Sequence, residues 1–514
     1  MRKFICSGLL GVMALLTGCA TIDFDYPRTE SVTITNTEQT RLGVRVAELS
    51  AGQDEGTSGF YPLVDGIEAL STRLLLAERA EVSIDTQYYL VKTDVSSTAF
   101  IDALLRAADR GVRVRLLIDD VFTKGYDAGM AALDSHPNFE VRVFNPFRRG
   151  AGGRVWSGLT DLGRVNRRMH TKSFTVDNQV TIVGGRNIAD EYFGARADAR
   201  FGDLDVVAIG PVADEVSRMF DSFWNHETAL PVPAFSKMPD DPTAELERVR
   251  ERLSEADEVV RETKYAAAVK QTMLNFMDRG PEMFEWEPYE LVYDSPDKGI
   301  RSKEGPSVSI VEPLVKALQS AEDRVVIVSP YFVPLKSGIE FLSELQARGV
   351  EVVIVTNSLA ANNQITVHGG YAPSRKPLLR NGVRIYEVRP DAEVAGSEIV
   401  AASGAKSTLH TKAFLVDNKL TFVGSFNFDP RSANLNTESG LLIESETLAT
   451  RFADWADEGI KANTYELFLD ENGKLRWRGY EDGHEVIYKK EPESTWFERF
   501  VAGFVRILPV KSQL

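Results

Sequence analysis

The nine residues Met169-His170-Thr171-Lys172-Ser173-Phe174-Thr175-Val176-Asp177 recur as Leu409-His410-Thr411-Lys412-Ala413-Phe414-Leu415-Val416-Asp417. Each copy runs into a glycine-bearing turn that ends in Asn187 or Asn427. The repeat reaches further: Arg110-Gly111-Val112-Arg113-Val114 answers Arg348-Gly349-Val350-Glu351-Val352, and Val141-Arg142-Val143-Phe144 answers Val383-Arg384-Ile385-Tyr386. Gly111 and Gly349, Val141 and Val383, His170 and His410 lie 238, 242 and 240 positions apart. A near-constant offset over so much of the chain marks an internal duplication. It predicts two α/β units packed about a pseudo-two-fold axis, with both histidines in one site at their interface.

Local patterns agree with that reading. Glu81 to Leu90 is strand-like, Phe100 to Arg110 is an amphipathic helix closed by Gly111, and Val112 to Ile118 is the β-branched run of a buried parallel strand. Val325 to Val328, Gly338 to Ala347 and Val350 to Val355 repeat the βαβ pattern. With 514 residues, 43% hydrophobic, the chain has enough apolar material for two cores. The expected divisions are a first half over 59–232, a helical insert or linker over 233–305, a second half over 306–460 and a C-terminal tail over 461–514. In the insert, Asp240 to Lys270 carries opposite charges at helical spacing, such as Glu245 and Arg248, and reads as a solvent-facing helix. The net charge of −16 argues against a nucleic acid partner, whose binding draws on clustered Lys and Arg.

The N-terminus reads as a targeting segment. Arg2 and Lys3 precede an apolar stretch from Ile5 to Leu16, too short for the ~20 residues of a membrane span. Leu16-Thr17-Gly18-Cys19 resembles a bacterial lipobox, in which residues 1–18 are removed and Cys19 becomes the lipidated first residue. Ala20 in the next position resembles the sorting signal of outer-membrane lipoproteins in Gram-negative bacteria, facing the periplasm. Cys6 leaves with the leader, so the mature chain keeps one thiol and forms no internal disulfide. Residues 19–58 are polar and read as a tether.

In an extended segment residues i and i+2 project from the same face, so His170 and Lys172 share one site, as do His410 and Lys412. An imidazole beside an ammonium suits phosphate chemistry, the first as nucleophile or proton donor, the second steadying phosphoryl oxygens. Asn187 and Asn427, after Gly184-Gly185 and Gly424-Ser425, supply amide donors to the same oxygens. Asp203 and Glu438 occupy matching places before the next strand of each half and are expected to orient the imidazoles; Asp205 competes with Asp203 for that role. Asp177 and Asp417 stand at strand-to-turn positions beside Asn178 and Asn418 and read as structural.

The doubled pattern His-x-Lys-x4-Asp-x6-Gly-(Gly/Ser)-x-Asn resembles the phospholipase D superfamily over almost all of the mature chain. Arg167-Arg168-Met169-His170, Val183-Gly184-Gly185-Arg186-Asn187, Asp203-Leu204-Asp205, Thr356 to Asn362, Gly424 to Ser432 and Ile507-Leu508-Pro509-Val510 resemble the bacterial cardiolipin synthases within it; the N-terminal lipobox extension departs from that pattern and bears on localisation. The resemblance implies α/β/α sandwich halves and a two-step phosphatidyl transfer with no metal or other cofactor. It implies a phosphohistidine, with His170 as nucleophile and His410 as acid and base, although the near-symmetry of the halves does not fix that order. It further implies phosphatidylglycerol as acceptor, a second phospholipid such as phosphatidylethanolamine as donor, and a membrane surface as the place of work. Hydrolysis to phosphatidic acid is the alternative, with cleavage of a nucleic acid phosphodiester behind it, since hydrolysis and transfer differ only in which hydroxyl reaches the intermediate.

His136, His226, His368 and His484 lack metal-ligand spacing. Three read as ordinary surface or packed histidines, while His368 sits in the family-like segment Val367 to Tyr371 and is a candidate for the substrate channel. Tyr88, Tyr89, Tyr331 and Phe332 follow equivalent strands and read either as core or as groups flanking the substrate. Trp496, Phe497, Phe500, Val501, Phe504, Val505 and Leu508 recur at helical spacing, as on a helix docked on the protein or lying in a membrane interface.

Overall fold

The computed structural model describes residues 22–150, 152–196, 198–277, 280–300, 308–393, 406–481, 483–506 and 513. Cys19, the leader and Ile507 to Val510 lie outside the described residues.

Two large sheets share one topology. In the first half, β1 (Ser58–Leu63), β2 (Ser83–Tyr88), β3 (Arg113–Asp119), β4 (Phe139–Phe144), β5 (Ser173–Val176), β6 (Val180–Gly184), β8 (Asp205–Ile209), β9 (Ala229–Pro231) and β10 (Glu285–Glu287) order as β10-β1-β8-β6-β5-β2-β3-β4-β9. In the second, β11 (Tyr289–Tyr293), β12 (Arg324–Val328), β13 (Glu351–Asn357), β14 (Arg384–Val388), β16 (Ala413–Val416), β17 (Leu420–Gly424), β18 (Ser439–Glu444), β19 (Thr464–Leu469), β20 (Leu475–Glu481) and β21 (His484–Tyr488) order as β11-β18-β17-β16-β12-β13-β14-β19-β20-β21. The central trios β2-β3-β4 and β12-β13-β14 are parallel, joined by the βαβ crossovers that the sequence pattern called for. The hairpins β5-β6 and β16-β17 carry the repeated motif antiparallel beside them.

Three apolar cores follow from this layering. One lies beneath the helices Gly66–Arg79 and Val95–Asp109 of the first half, and one beneath Val311–Gln319 and Leu335–Ala347 of the second. The third is shared, with Phe60, Leu117 and Phe144 of the first sheet meeting Val326, Val353 and Leu441 of the second, together with the helices Pro211–Trp224 and Glu446–Asn463. This middle core fuses the halves and places the motif strands of both side by side.

Four readings differ from expectation. The segment read as a tether is docked from Ile22 on: Ile22, Phe24 and Tyr26 pack on the first core, and Val46 of the helix Arg41–Ser50 is buried in it. Buried Arg115 inside β3 explains the docking, since its guanidinium binds Asp85 at 2.6 Å and donates to the Ser31 carbonyl at 2.9 Å. The insert is no free helix either: in Pro242–Arg261, Leu246, Val249 and Leu253 form a buried stripe against the first half, a stripe hidden among charges in the sequence. The second sheet begins at β11, earlier than residue 306, and β10 and β11 form the crossing between sheets. The C-terminal tail continues that sheet as β19 to β21 before ending in the helix Trp496–Val505.

Asp177 and Asp417 hold turns. Asp177, with φ 51°, accepts the backbone N–H groups of Glu81, Val82 and Ser83, and Asp417, with φ 52°, accepts those of Glu322, Asp323 and Arg324. Each pins the start of the parallel strand beside its motif hairpin.

Candidate active site

The halves are stitched crosswise, and that stitching builds the site. His170 N–H donates to the Thr437 carbonyl at 2.9 Å, and Thr437 N–H returns to the Arg168 carbonyl at 2.9 Å. In the other direction β15 (Lys406–Leu409) pairs in parallel with β7 (Ala199–Gly202), and His410 N–H donates to the Gly202 carbonyl at 2.7 Å. Each histidine segment therefore runs beside the acidic segment of the opposite half. His170 Nδ1 lies 2.7 Å from Glu438 Oε2, and His410 Nδ1 lies 2.5 Å from Asp203 Oδ2.

Both carboxylates are fully buried and further held. Ser425 and Ser432 hydroxyls donate to Glu438 at 2.5 and 2.8 Å, while Asp203 accepts the N–H of Leu204 at 2.9 Å. One difference between the two turns, Gly185 against Ser425, follows from this: a Cβ at Gly185 would stand 2.2 Å from Asp203 Oδ1, whereas Ser425 uses its hydroxyl to hold Glu438. Asp205, the competing orienter, faces away from the imidazoles and forms a buried ion pair with Arg73 at 2.8 Å.

Burial sets the ionisation of the cage. It pushes His170 down to about 4 against the pull of Glu438, and with the help of Lys412 pushes His410 down to about 3. Burial likewise lowers Lys172 to about 7 and Lys412 to about 8. For the carboxylates burial is the largest effect and works upward, but the imidazoles, the neighbouring lysines and the hydrogen bonds together hold Glu438 and Asp203 below their ordinary values. Each pair thus rests as a neutral imidazole that donates Nδ1–H to an ionised carboxylate, with Nε2 left unprotonated. Lys172 Nζ is anchored on the His170 carbonyl at 2.5 Å, and Lys412 Nζ sits against the His410 ring, 2.9 Å from Nδ1 and 3.2 Å from Nε2. Below about pH 7, where both lysines are ammonium ions, two lysines and two carboxylates balance in charge.

Asn187 and Asn427 are buried beside the histidines, their side-chain carbonyl oxygens without hydrogen-bond partners, and the Asn187 amide donates to Tyr192 Oη at 2.9 Å. Aromatic rings wall the cage. Tyr89 meets His170 edge-on at 5.0 Å, Tyr192 meets His410 edge-on at 5.0 Å, and Phe201 stacks on His410 at 5.4 Å with planes 11° apart. Of the four aromatic candidates, Tyr89 flanks the site, while Tyr88 and Phe332 are core and Tyr331 donates to Asn363 at 2.9 Å. Tyr192 and Phe201 escaped sequence reasoning because they sit in short connecting elements with no periodicity. His368 is not a channel residue: it is buried edge-on to Tyr371 at 5.5 Å, 3.5 Å from Glu491.

This doubled cage on a duplicated α/β fold defines a class. The family model described as cardiolipin synthase, phospholipase D-like domain, matches twice, over residues 75–224 and 314–459, and the chain belongs to that family of phosphatidyltransferase enzymes. It is 41% identical to cardiolipin synthase C of Escherichia coli (strain K12), over 92% of this chain and 99% of that protein. An uncharacterized protein of Helicobacter pylori (strain ATCC 700392 / 26695) is 32% identical over 96% of each chain. The crystal structure of phosphatidylserine synthase from Haemophilus influenzae Rd KW20 shares the fold, with a TM-score of 0.58 at 13% identity, covering 91% of this chain and all of that one.

Proposed function

We propose that this enzyme makes cardiolipin by transferring a phosphatidyl group from a donor phospholipid, phosphatidylethanolamine in the first instance, to phosphatidylglycerol through a phosphohistidine. The observation that carries the reading is the crosswise pairing of each motif histidine with a buried carboxylate of the opposite half. His170 is the nucleophile: its Nδ1–H is committed to Glu438, and Nε2 has no hydrogen-bond partner among the described residues. His410, backed by Asp203, protonates the leaving alcohol and then takes the proton of the incoming one. A phosphodiester brings one negative charge, which a single imidazolium offsets, so substrate binding draws the acid's proton onto His410. Lys172, Lys412 and the two asparagines hold the phosphoryl oxygens, and Tyr89, Tyr192 and Phe201 keep water from the intermediate.

The work takes place at a membrane surface in this reading, with Cys19 acylated, residues 1–18 removed and the protein on the outer membrane facing the periplasm. Among the described residues no helix is long and apolar enough to cross a membrane. The C-terminal helix supports a peripheral contact: Ala502 and Val505 dock on Gly369, while Trp496, Phe497, Phe500 and Phe504 remain more than half exposed. The reading is tested by incubating the protein with labelled phosphatidylglycerol and phosphatidylethanolamine and separating the lipids. Labelled cardiolipin is expected; phosphatidic acid alone would replace transfer with hydrolysis.

A further inference from the structure

The two halves differ in one place that the duplication should have made alike. In the first half Phe100, on the helix Val95–Asp109, fills the space over the motif hairpin, its ring 5.6 Å from Phe174 and 5.9 Å from Tyr88, with all three rings buried. The offset of 238 that aligns Gly111 with Gly349 aligns Phe100 with Gly338, a residue with no side chain to fill that space. Phe414, the counterpart of Phe174, turns instead to stack on Phe422 at 5.0 Å with planes 16° apart. What is left is an apolar cavity of about 320 Å³ lined by Leu314, Leu318, Gly338, Phe341, Phe414 and Phe428.

The position of the cavity limits what can occupy it. Phe414 lies two residues beyond Lys412, and Phe428 and Asp429, also in the wall, directly follow Asn427. One end thus borders the segments that carry the phosphate-holding side chains. Leu335, also in the lining, is 38% exposed in a left-handed backbone conformation with φ 45° and marks the solvent end. The volume falls within the range of small-ligand sites. A wall of Leu, Val and Phe beside a phosphodiester cage suits an aliphatic chain covalently attached to a phosphate ester.

We infer that this cavity binds one fatty acyl chain of the phospholipid whose phosphodiester lies between His170 and His410. The inference rests on the phosphatidyl-transfer reading for its ligand class and adds the subsite that recognises the lipid tail. The halves divide the labour: the first, plugged by Phe100, contributes polar groups and the aromatic wall of the cage, and the second also measures the tail. For short-chain phospholipids presented as monomers in water, each methylene that enters the cavity improves kcat/KM by about fourfold, the equivalent of its transfer from water.

The test uses the donor lipid, phosphatidylethanolamine, with a diazirine at the end of one acyl chain, in detergent micelles with the full-length protein. After irradiation and digestion, adducts are expected in the segments 311–318, 335–341 and 426–434. The plugged variant Val315→Phe/Ser337→Phe should lose at least nine-tenths of that adduct, and its kcat/KM should no longer rise with chain length. Phe341→Ala, which enlarges the cavity, should shift the preference to longer chains. Adducts confined elsewhere, such as the helix Trp496–Val505, would overturn the inference, as would an unchanged chain-length profile in both variants. Photolabelling reads occupancy without turnover, so a labelled cavity in a protein that makes no cardiolipin would count against the transfer reading alone.

Discussion

Replacing Glu438 by Gln changes one atom type at the centre of the site and nothing in its size. Ser432 keeps an acceptor in the remaining carbonyl oxygen, the Ser425 hydroxyl turns to accept from the amide that replaces the Oε2 it shares with His170, and the side chain stays buried at the same depth. The bond that changes is the 2.7 Å contact to His170 Nδ1. An ionised carboxylate can only accept there, which fixes the proton on Nδ1 and frees Nε2 to attack; an amide can instead donate to Nδ1, moving the ring proton to Nε2 and removing the nucleophilic lone pair. An amide substituted for the carboxylate that orients a catalytic imidazole costs about 10⁴-fold in kcat, or about 5.5 kcal/mol of transition-state stabilisation. Glu438 does not reach the substrate, so KM should change by less than about threefold, an order-of-magnitude expectation for lost chemistry with retained binding. The assay is initial-rate transfer in mixed micelles, joined to ¹⁵N spectra of labelled histidine that report the His170 tautomer. A fall of less than about tenfold in kcat, or an unaltered tautomer, would refute the orienting role drawn from the crosswise geometry.

Other consequences are equally specific. Because burial lowers Lys172 to about 7 and Lys412 to about 8, kcat/KM should fall as pH rises through that range, where the ammonium groups are lost; it should also fall toward pH 4, where His170 gains a proton. An alkaline limb first appearing above pH 10 would show that the lysines are not desolvated as described. Asp177→Ala strips the acceptor from three backbone N–H groups and should lower unfolding free energy by about 3 kcal/mol, read by denaturant titration, with kcat of the folded enzyme within about twofold. In a Cys19→Ser background, Trp496→Ala/Phe500→Ala should weaken sedimentation with phosphatidylglycerol vesicles by about tenfold or more; equal binding would place the membrane contact elsewhere.

The duplication, the βαβ order and the eight polar residues of the cage were legible because short-range spacing carries them. Met169 to Asp177 repeats in Leu409 to Asp417, so each copy presents its histidine and lysine at the same spacing. Which acid serves which histidine was not legible. That depends on the pairing of Met169 with Thr437 and of Leu409 with Gly202, contacts between distant segments that no local pattern encodes. The docked N-terminal segment was missed because its anchor is Arg115, a charged residue in an apolar strand, which signals burial only once Asp85 and Asp221 are seen beside it. Leu246, Val249 and Leu253 were present at helical spacing but outweighed by surrounding charge.

The central claim, that one histidine of a two-half site carries the phosphatidyl group while the other manages protons, is tested most directly by acid-quenching the enzyme during turnover of labelled donor lipid and mapping the label by mass spectrometry. The account predicts a phosphatidyl adduct on His170 that disappears in His170→Ala, with overall transfer abolished in both His170→Ala and His410→Ala. An adduct on His410 alone would reverse the roles, and sustained transfer by either alanine variant would contradict a site shared between the halves.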